Sequence, residues 1–253
     1  MSKITEAFKG KKAFIAYLMA GDPDLEKTAE YILALQDGGA DIIEIGIPFS
    51  DPIAEGETIQ NATLRSLSSG TTPDGIFEMM AELKDKVKIP LLFMSYANPI
   101  FSCGYDSFFK RCSESGISGV ILPDVPFEEA GEVLSHTQKY GIEVITLVAP
   151  TSVRRIANIA KSARGFIYVV SSMGVTGVRT SVNRDIRSVI DAIKRQTDIP
   201  AAVGFGINTP KQAAELLQYA DGIIVGSAIV NIIAENSADT AEKLKKYVRS
   251  MKG

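Results

Sequence analysis

Residues 41–56 read Asp41-Ile42-Ile43-Glu44-Ile45-Gly46-Ile47-Pro48-Phe49-Ser50-Asp51-Pro52-Ile53-Ala54-Glu55-Gly56. The stretch starts as a β-branched strand and ends as a loop of Pro, Gly and acidic residues. Side chains alternate faces along a strand. Ile43, Ile45 and Ile47 therefore share one face, and Ile42, Glu44 and Gly46 the other. A carboxylate inside such an apolar run is costly to bury unless something pairs with it or uses it. An edge strand with Glu44 in water would avoid the cost. Two further carboxylates, Asp51 and Glu55, follow on the loop that leaves the strand. One acid pointing inward and two on the outgoing loop are expected to form one side of an active site.

Outward from this strand, short apolar runs alternate with amphipathic segments. The strand-like runs are Phe14–Met19, Ile42–Ile47, Leu91–Ser95, Gly119–Leu122, Glu143–Val148, Phe166–Val170, Ala201–Phe205 and Gly222–Val225. Between them lie helical stretches such as Leu25–Gln36, Ile76–Lys86, Phe108–Ser115, Glu128–Lys139, Val153–Ser162, Ile186–Arg195, Lys211–Tyr219 and Thr240–Met251. Such alternation predicts a parallel sheet. Eight units in 253 residues predict an α/β fold of the closed (β/α)8 (TIM) barrel type, with residues 1–253 as a single domain. An open doubly wound sheet is the competing architecture, weakened because no G-x-G-x-x-G follows the first strand. The segment up to Phe8 is a candidate extra helix closing the bottom of the barrel.

The bulk composition narrows the function classes. Apolar residues make up 45% and charged residues 23%, the balance of an ordinary water-soluble globular chain. The net charge of −3, without basic blocks, argues against nucleic acid or anionic membrane as partner. Cys103 and Cys112 have no histidine nearby and form no metal-ligand pattern, so a reduced thiol pair is expected. Residues 1–10 lack the apolar core of a signal peptide, and no apolar run approaches membrane-spanning length. The expected location is cytoplasmic. The only histidine, His136, sits in a polar helical stretch and reads as a surface residue. Chemistry here must run on carboxylates instead.

In a barrel the site lies in the loops after the strand C-termini. Three such loops are glycine-rich: Ser171-Ser172-Met173-Gly174-Val175-Thr176-Gly177 after the sixth strand, Gly204-Phe205-Gly206-Ile207-Asn208 after the seventh, and Gly226-Ser227 after the eighth. The last opens a short apolar helix, Ala228–Ile233. Glycines let backbone N–H groups approach an anion, and a helix N-terminus adds partial positive charge. Together the loops predict a phosphate cradle needing little help from Lys or Arg. Opposite it stand Glu44 and its loop acids. Asp124, in Leu122-Pro123-Asp124-Val125-Pro126, reads as readily as a turn residue. Tyr17, Met94, Tyr96 and Phe205 can supply an apolar, aromatic surface for a flat ligand. The expected substrate has a phosphate at one end, a hydrophobic body, and an acid–base centre between.

Glu44 through Gln60, E-I-G-I-P-F-S-D-P-I-A-E-G-E-T-I-Q, closely resembles the signature of the tryptophan synthase alpha chain family. The resemblance continues through Leu18-Met19-Ala20-Gly21-Asp22-Pro23, Ser95-Tyr96-Ala97-Asn98-Pro99, Pro123-Asp124-Val125-Pro126, Gly174-Val175-Thr176-Gly177, Gly204-Phe205-Gly206-Ile207 and Gly226-Ser227, in order over nearly the whole chain. It implies a (β/α)8 barrel that cleaves indole-3-glycerol phosphate to indole and glyceraldehyde 3-phosphate, in tryptophan biosynthesis. It also implies a pyridoxal-phosphate beta chain as partner, in a heterotetramer of two alpha and two beta chains. The alpha chain itself would need no cofactor and no metal.

Carried over residue by residue, Glu44 matches the family's catalytic glutamate. The second carboxylate of the family is an aspartate in A-D-G. Here that motif reads Ala54-Glu55-Gly56, and Glu57 stands where proline is usual. Thr176 matches a threonine that clamps this carboxylate, Asp51 a position facing the beta chain, and Gly177, Gly206, Gly226 and Ser227 the phosphate contacts. The departure at Glu55 motivates one alternative, a weakly active chain that mainly binds and activates the beta chain. It also predicts that Glu55→Asp raises the rate. A different barrel enzyme on a phosphorylated indole or anthranilate intermediate shares the phosphate loops but not the P-F-S-D-P block.

Overall fold

The computed structural model describes residues 2–150, 155–170, 179–204 and 206–252, with the side chains of 179–185 outside that description. Eight parallel strands close into a barrel in chain order: β1 Ala13–Met19, β2 Ile42–Gly46, β3 Leu91–Met94, β4 Ile117–Ile121, β5 Glu143–Val148, β6 Ile167–Val170, β7 Ala201–Gly204 and β8 Gly222–Val225. The ring is closed by β8 against β1, with Ala13 opposite Gly222 and Phe14 opposite Ile223. The open doubly wound sheet is thereby excluded. A closed ring has no edge strand, so the solvated-edge reading of Glu44 fails with it.

Alternation sorts the strand residues into two apolar layers. Phe14, Ala16, Leu18, Ile43, Ile45 and Ile47 point outward to a layer shared with the helices. Ile15, Tyr17, Met19, Ile42, Leu92 and Tyr168 point inward to a second cluster filling the barrel. Tyr17 and Glu44 lie opposite each other in the register of β1 and β2. That parity fixes Glu44 inside the ring.

The helices among the described residues are α1 Lys3–Glu6, α2 Leu25–Gly38, α3 Glu57–Ser68, α4 Pro73–Leu83, α5 Ala97–Cys103, α6 Tyr105–Glu114, α7 Gly131–Lys139, α8 Ile156–Ser162, α9 Arg179–Lys194, α10 Pro210–Leu216, α11 Ser227–Ala234 and α12 Thr240–Lys252. Local chemistry sets their ends. Asp24 caps α2 by accepting from Lys27 N at 2.7 Å, and Gly39 ends it with φ 104°. Thr209 and Gln212 form a reciprocal capping box at α10.

The segment before Phe8 does close the bottom. Ser2 caps α1 and donates to Glu143, Thr5 Oγ1 donates to Gly165 O at 3.0 Å, and Phe8 packs on Phe166 at 5.5 Å between ring centroids. At the same end Asp41 accepts from Phe14 N at 2.8 Å and pairs with Lys11 and Lys252. Among the described residues no helix is long and apolar enough to cross a membrane.

Candidate active site

At the C-terminal mouth of the barrel lies a cavity of about 230 Å3. Of the residues expected to form the site, Tyr17, Glu44, Glu55, Met94, Gly206, Gly226 and Ser227 line it together. Thr176, Gly177 and Phe205 lie outside the described residues. Ala54 and Gly56 of the A-E-G motif line it too, and the sequence reading missed Ile59, Tyr168, Ile207 and Ile224, which complete the lining. Tyr168 had a legible signal: it shares the inward parity of Phe166 on β6, one residue pair from the strand's mouth end.

Tyr96 stands apart from these residues in the structure. It is buried but does not line the cavity, because β3 ends at Met94 and Tyr96 caps α5 beyond it. Its hydroxyl accepts from Ala54 N at 3.1 Å and stands against the Glu55 carboxyl, so it braces the outgoing loop.

Glu44 is 1% exposed, and burial alone pushes its carboxyl from the ordinary 4.5 up to about 8. A carboxyl that holds a proton near neutrality can both give and take one. Glu55 is half-buried. Burial raises its pKa, while the Tyr96 and Thr63 hydroxyls pull it back down by hydrogen bonding to the carboxylate. The two acids thus differ in environment, one dry and one held by hydroxyls, which is how paired carboxylates acquire separate roles. Among the described residues, neither Glu44 Oε2 nor Glu55 Oε2 has a hydrogen-bond partner, and both are buried. Buried polar atoms are rarely left so, and two facing one cavity mark where a ligand's donors belong.

Gly46 makes the cavity floor possible. A Cβ there would stand 2.3 Å from Tyr17 Oη, so only glycine lets the phenol lie across β2. On the far wall Gly206 follows β7, and Gly226 occupies the N-cap of α11 with no side chain capping the helix. Free helical N–H groups at that end suit an anion.

The remaining candidates fall elsewhere. Asp124 accepts from Ala97 N at 2.9 and 3.1 Å and holds the start of α5, the turn role. Asp51 is exposed and bonded to Ser50. His136, on α7, stacks on Tyr105 away from the cavity. Cys103 and Cys112 are free thiols, the latter in the outer core. A larger cavity, of about 600 Å3 and lined in part by α7 and α8, contains none of the expected site residues.

Comparison with known proteins agrees with this geometry. Residues 4–253 match the profile of the family described as "Tryptophan synthase alpha chain". A tryptophan synthase alpha chain of Lactiplantibacillus plantarum is 47% identical over 253 residues, covering 100% of this chain and 96% of the relative. That of Lacticaseibacillus casei is 43% identical over 252 residues, covering 100% and 95%. Among solved structures, the tryptophan synthase subunit alpha of Legionella pneumophila superposes with TM-score 0.90 at 36% identity, covering 100% of this chain and 97% of that one. Tryptophan synthase of Mycobacterium tuberculosis, in an open form, gives TM-score 0.89 at 31% identity, with coverage of 99% and 98%. With its closed barrel and a profile match running to the last residue, this chain belongs to the tryptophan synthase alpha chain family.

Proposed function

We propose that the chain, as one barrel domain, cleaves indole-3-glycerol phosphate to indole and glyceraldehyde 3-phosphate. Glu44 is the proton-transfer group and Glu55 the ionised partner. The phosphate sits against Gly206, Gly226 and Ser227, joined by Gly177 from the sixth loop, whose Thr176 belongs to the clamp on the Glu55 carboxylate. The aromatic ring lies over Tyr17 and Met94, with Phe205 beside it.

In the reaction, protonation of indole C3 places positive charge on the ring nitrogen. The bond from C3 to the glycerol carbon then breaks. Its electron pair returns to the ring, and the hydroxyl on that carbon loses its proton as the aldehyde forms. Glu44 gives the proton to C3 and takes one from the hydroxyl, ending as it began. Glu55 accepts from the ring N–H and stabilises the transient charge. The observation that carries this reading is that Glu44 and Glu55 line one cavity, each with a buried carboxyl oxygen that has no partner among the described residues.

The proposal includes a pyridoxal-phosphate beta chain as partner, in a heterotetramer of two alpha and two beta chains. Ile53 is 78% and Phe101 67% exposed, on the connections after β2 and β3. Apolar side chains this open, beside the mouth and near the acid Asp51, suit a covering surface. A chain that binds its partner without catalysing is not favoured, because both acids line the cavity.

The test is steady-state indole release from indole-3-glycerol phosphate by the purified chain, with and without a beta chain. Wild type should release indole in both cases, faster with the partner. Glu55→Ala should lose on the order of 10²-fold or more. No release by wild type in either condition would sink the reading.

A further inference from the structure

Among the described residues, a third buried polar atom of the cavity's lining residues has no partner, Tyr17 Oη, besides Glu44 Oε2 and Glu55 Oε2. Tyr17 is 5% exposed, and an unpaired buried hydroxyl costs stability. An orphan phenol therefore shares one cavity's lining with two orphan carboxyl oxygens. Which acceptor it serves follows from what can move. Tyr17 and Glu44 are register partners on neighbouring strands of a closed barrel, and they are not hydrogen-bonded. Closing a loop does not bring two fixed strand residues together. Glu55 is carried by the connection between β2 and α3, and its side chain is only half-buried.

The electrostatics agree. The ionisable groups facing Tyr17 are Glu55 on that connection, Glu44 on β2, Tyr96 beyond β3 and Tyr168 on β6, and Glu55 acts on it most strongly. Burial, followed by these neighbours, raises the phenol well above its ordinary pKa, so it keeps its proton and is a donor at every working pH. Length matters as well. Glutamate at position 55 carries its carboxylate about one C–C bond, roughly 1.5 Å, further than the aspartate in the family's A-D-G motif.

We propose that Tyr17 is a positioning residue for Glu55: when the connection settles over bound substrate, Tyr17 Oη donates to Glu55 Oε2 and fixes the carboxylate beside the substrate's ring N–H. The inference rests on the cleavage reaction proposed above. Tyr96 and Thr63 stand beside the Glu55 carboxyl in this structure, and Tyr17 takes Oε2 once the connection settles. The loop is then built around glutamate, and the sequence expectation that Glu55→Asp speeds the enzyme is reversed. Aspartate falls short of Tyr17.

A double-mutant cycle tests the pairing: wild type, Tyr17→Phe, Glu55→Asp and the double variant, each assayed for kcat, KM and pH dependence of indole release. Tyr17→Phe should lower kcat about ten-fold with KM little changed. It should move the acid limb of kcat to higher pH, because losing a donor raises the pKa of the acceptor. It should also raise the Tm of the free chain, since an unpaired buried hydroxyl is removed. In the Glu55→Asp background the same substitution should change kcat less than about two-fold, the pair being already broken. Equal losses in both backgrounds, or an unmoved acid limb, would overturn the proposal. A carbon-13 NMR titration of the Glu55 carboxyl, in the presence of saturating indole and glycerol 3-phosphate, decides it independently of turnover. A higher pKa in Tyr17→Phe than in wild type supports the pairing, and equal values overturn it. Absence of indole release by wild type counts against the cleavage reaction alone.

Discussion

Replacing Glu44 by glutamine should change how stability depends on pH, by an amount the structure sets. The folded carboxyl titrates near 8, whereas the unfolded chain's titrates near the ordinary 4.5. Between those values the unfolded state sheds a proton that the folded state keeps, so folding loses stability as pH rises through that window. The difference between about 8 and 4.5, at about 1.4 kcal/mol per pH unit, integrates to roughly 5 kcal/mol. This is an upper bound, because water entering through the open mouth raises the effective dielectric. Glutamine keeps the shape of the neutral acid and does not titrate. Urea unfolding of both proteins, at intervals from about pH 4 to about pH 9, gives the two curves. They should run close together at the acid end and diverge as pH rises, with Glu44→Gln the more stable by several kcal/mol at the alkaline end. Parallel curves would mean that Glu44 ionises at no cost. It would then hold no proton near neutrality, and the acid–base role assigned to it would fail.

Three further outcomes follow from particular contacts. Gly206 has φ +74°, so Gly206→Asp adds both backbone strain and a negative charge at the phosphate wall; affinity for glycerol 3-phosphate should fall more than ten-fold by calorimetric titration, and equal affinity would place the phosphate elsewhere. Asp22 is 1% exposed and receives both Arg65 Nε and Nη2 at 2.7 Å, joining α3 to the β1–α2 connection. Because the arginine side chain is 36% exposed, Asp22→Asn should cost about 1–3 kcal/mol, less than breaking a fully buried pair. A loss below about 0.5 kcal/mol in denaturant unfolding would show the pair to be screened. Gly46→Ala should destabilise by about 1–3 kcal/mol through the collision with Tyr17 Oη, and Tyr17→Phe should recover part of that loss; failure of the second substitution to help would place the strain elsewhere.

The sequence was most legible where a strand's two faces differ. Alternation alone put Glu44 opposite Ile43 and Ile45, and barrel closure turned that parity into burial. Helix α3 was missed because its polarity is inverted. Ala62, Thr63 and Ser66 face inward, while Leu64 and Leu67 are exposed, so the segment shows no apolar stripe facing the core. Helix α4 begins at Pro73 rather than Ile76: Thr72 caps it by accepting from Gly75 N at 3.2 Å, and the proline fits the first turn. Tyr96 falls outside the cavity's lining because parity continues past Met94 only while the strand does, and the chain turns into α5 there. Tyr168 was passed over although its position on β6 carried the same signal as Tyr17 on β1. The hydroxyls of Tyr96 and Thr63 around Glu55 were beyond reach of the sequence, since they depend on how α3 and the β3–α5 connection meet at the mouth.

Cleavage in this site depends on Glu44 moving the proton, and one comparison tests that directly: wild type and Glu44→Gln measured for both indole release and glycerol 3-phosphate binding. The amide preserves shape and removes proton transfer, so turnover should fall at least about 10²-fold while the phosphate ligand binds equally well. If Glu44→Gln keeps even about a third of wild-type turnover, Glu44 is not the acid–base group and the mechanism is wrong.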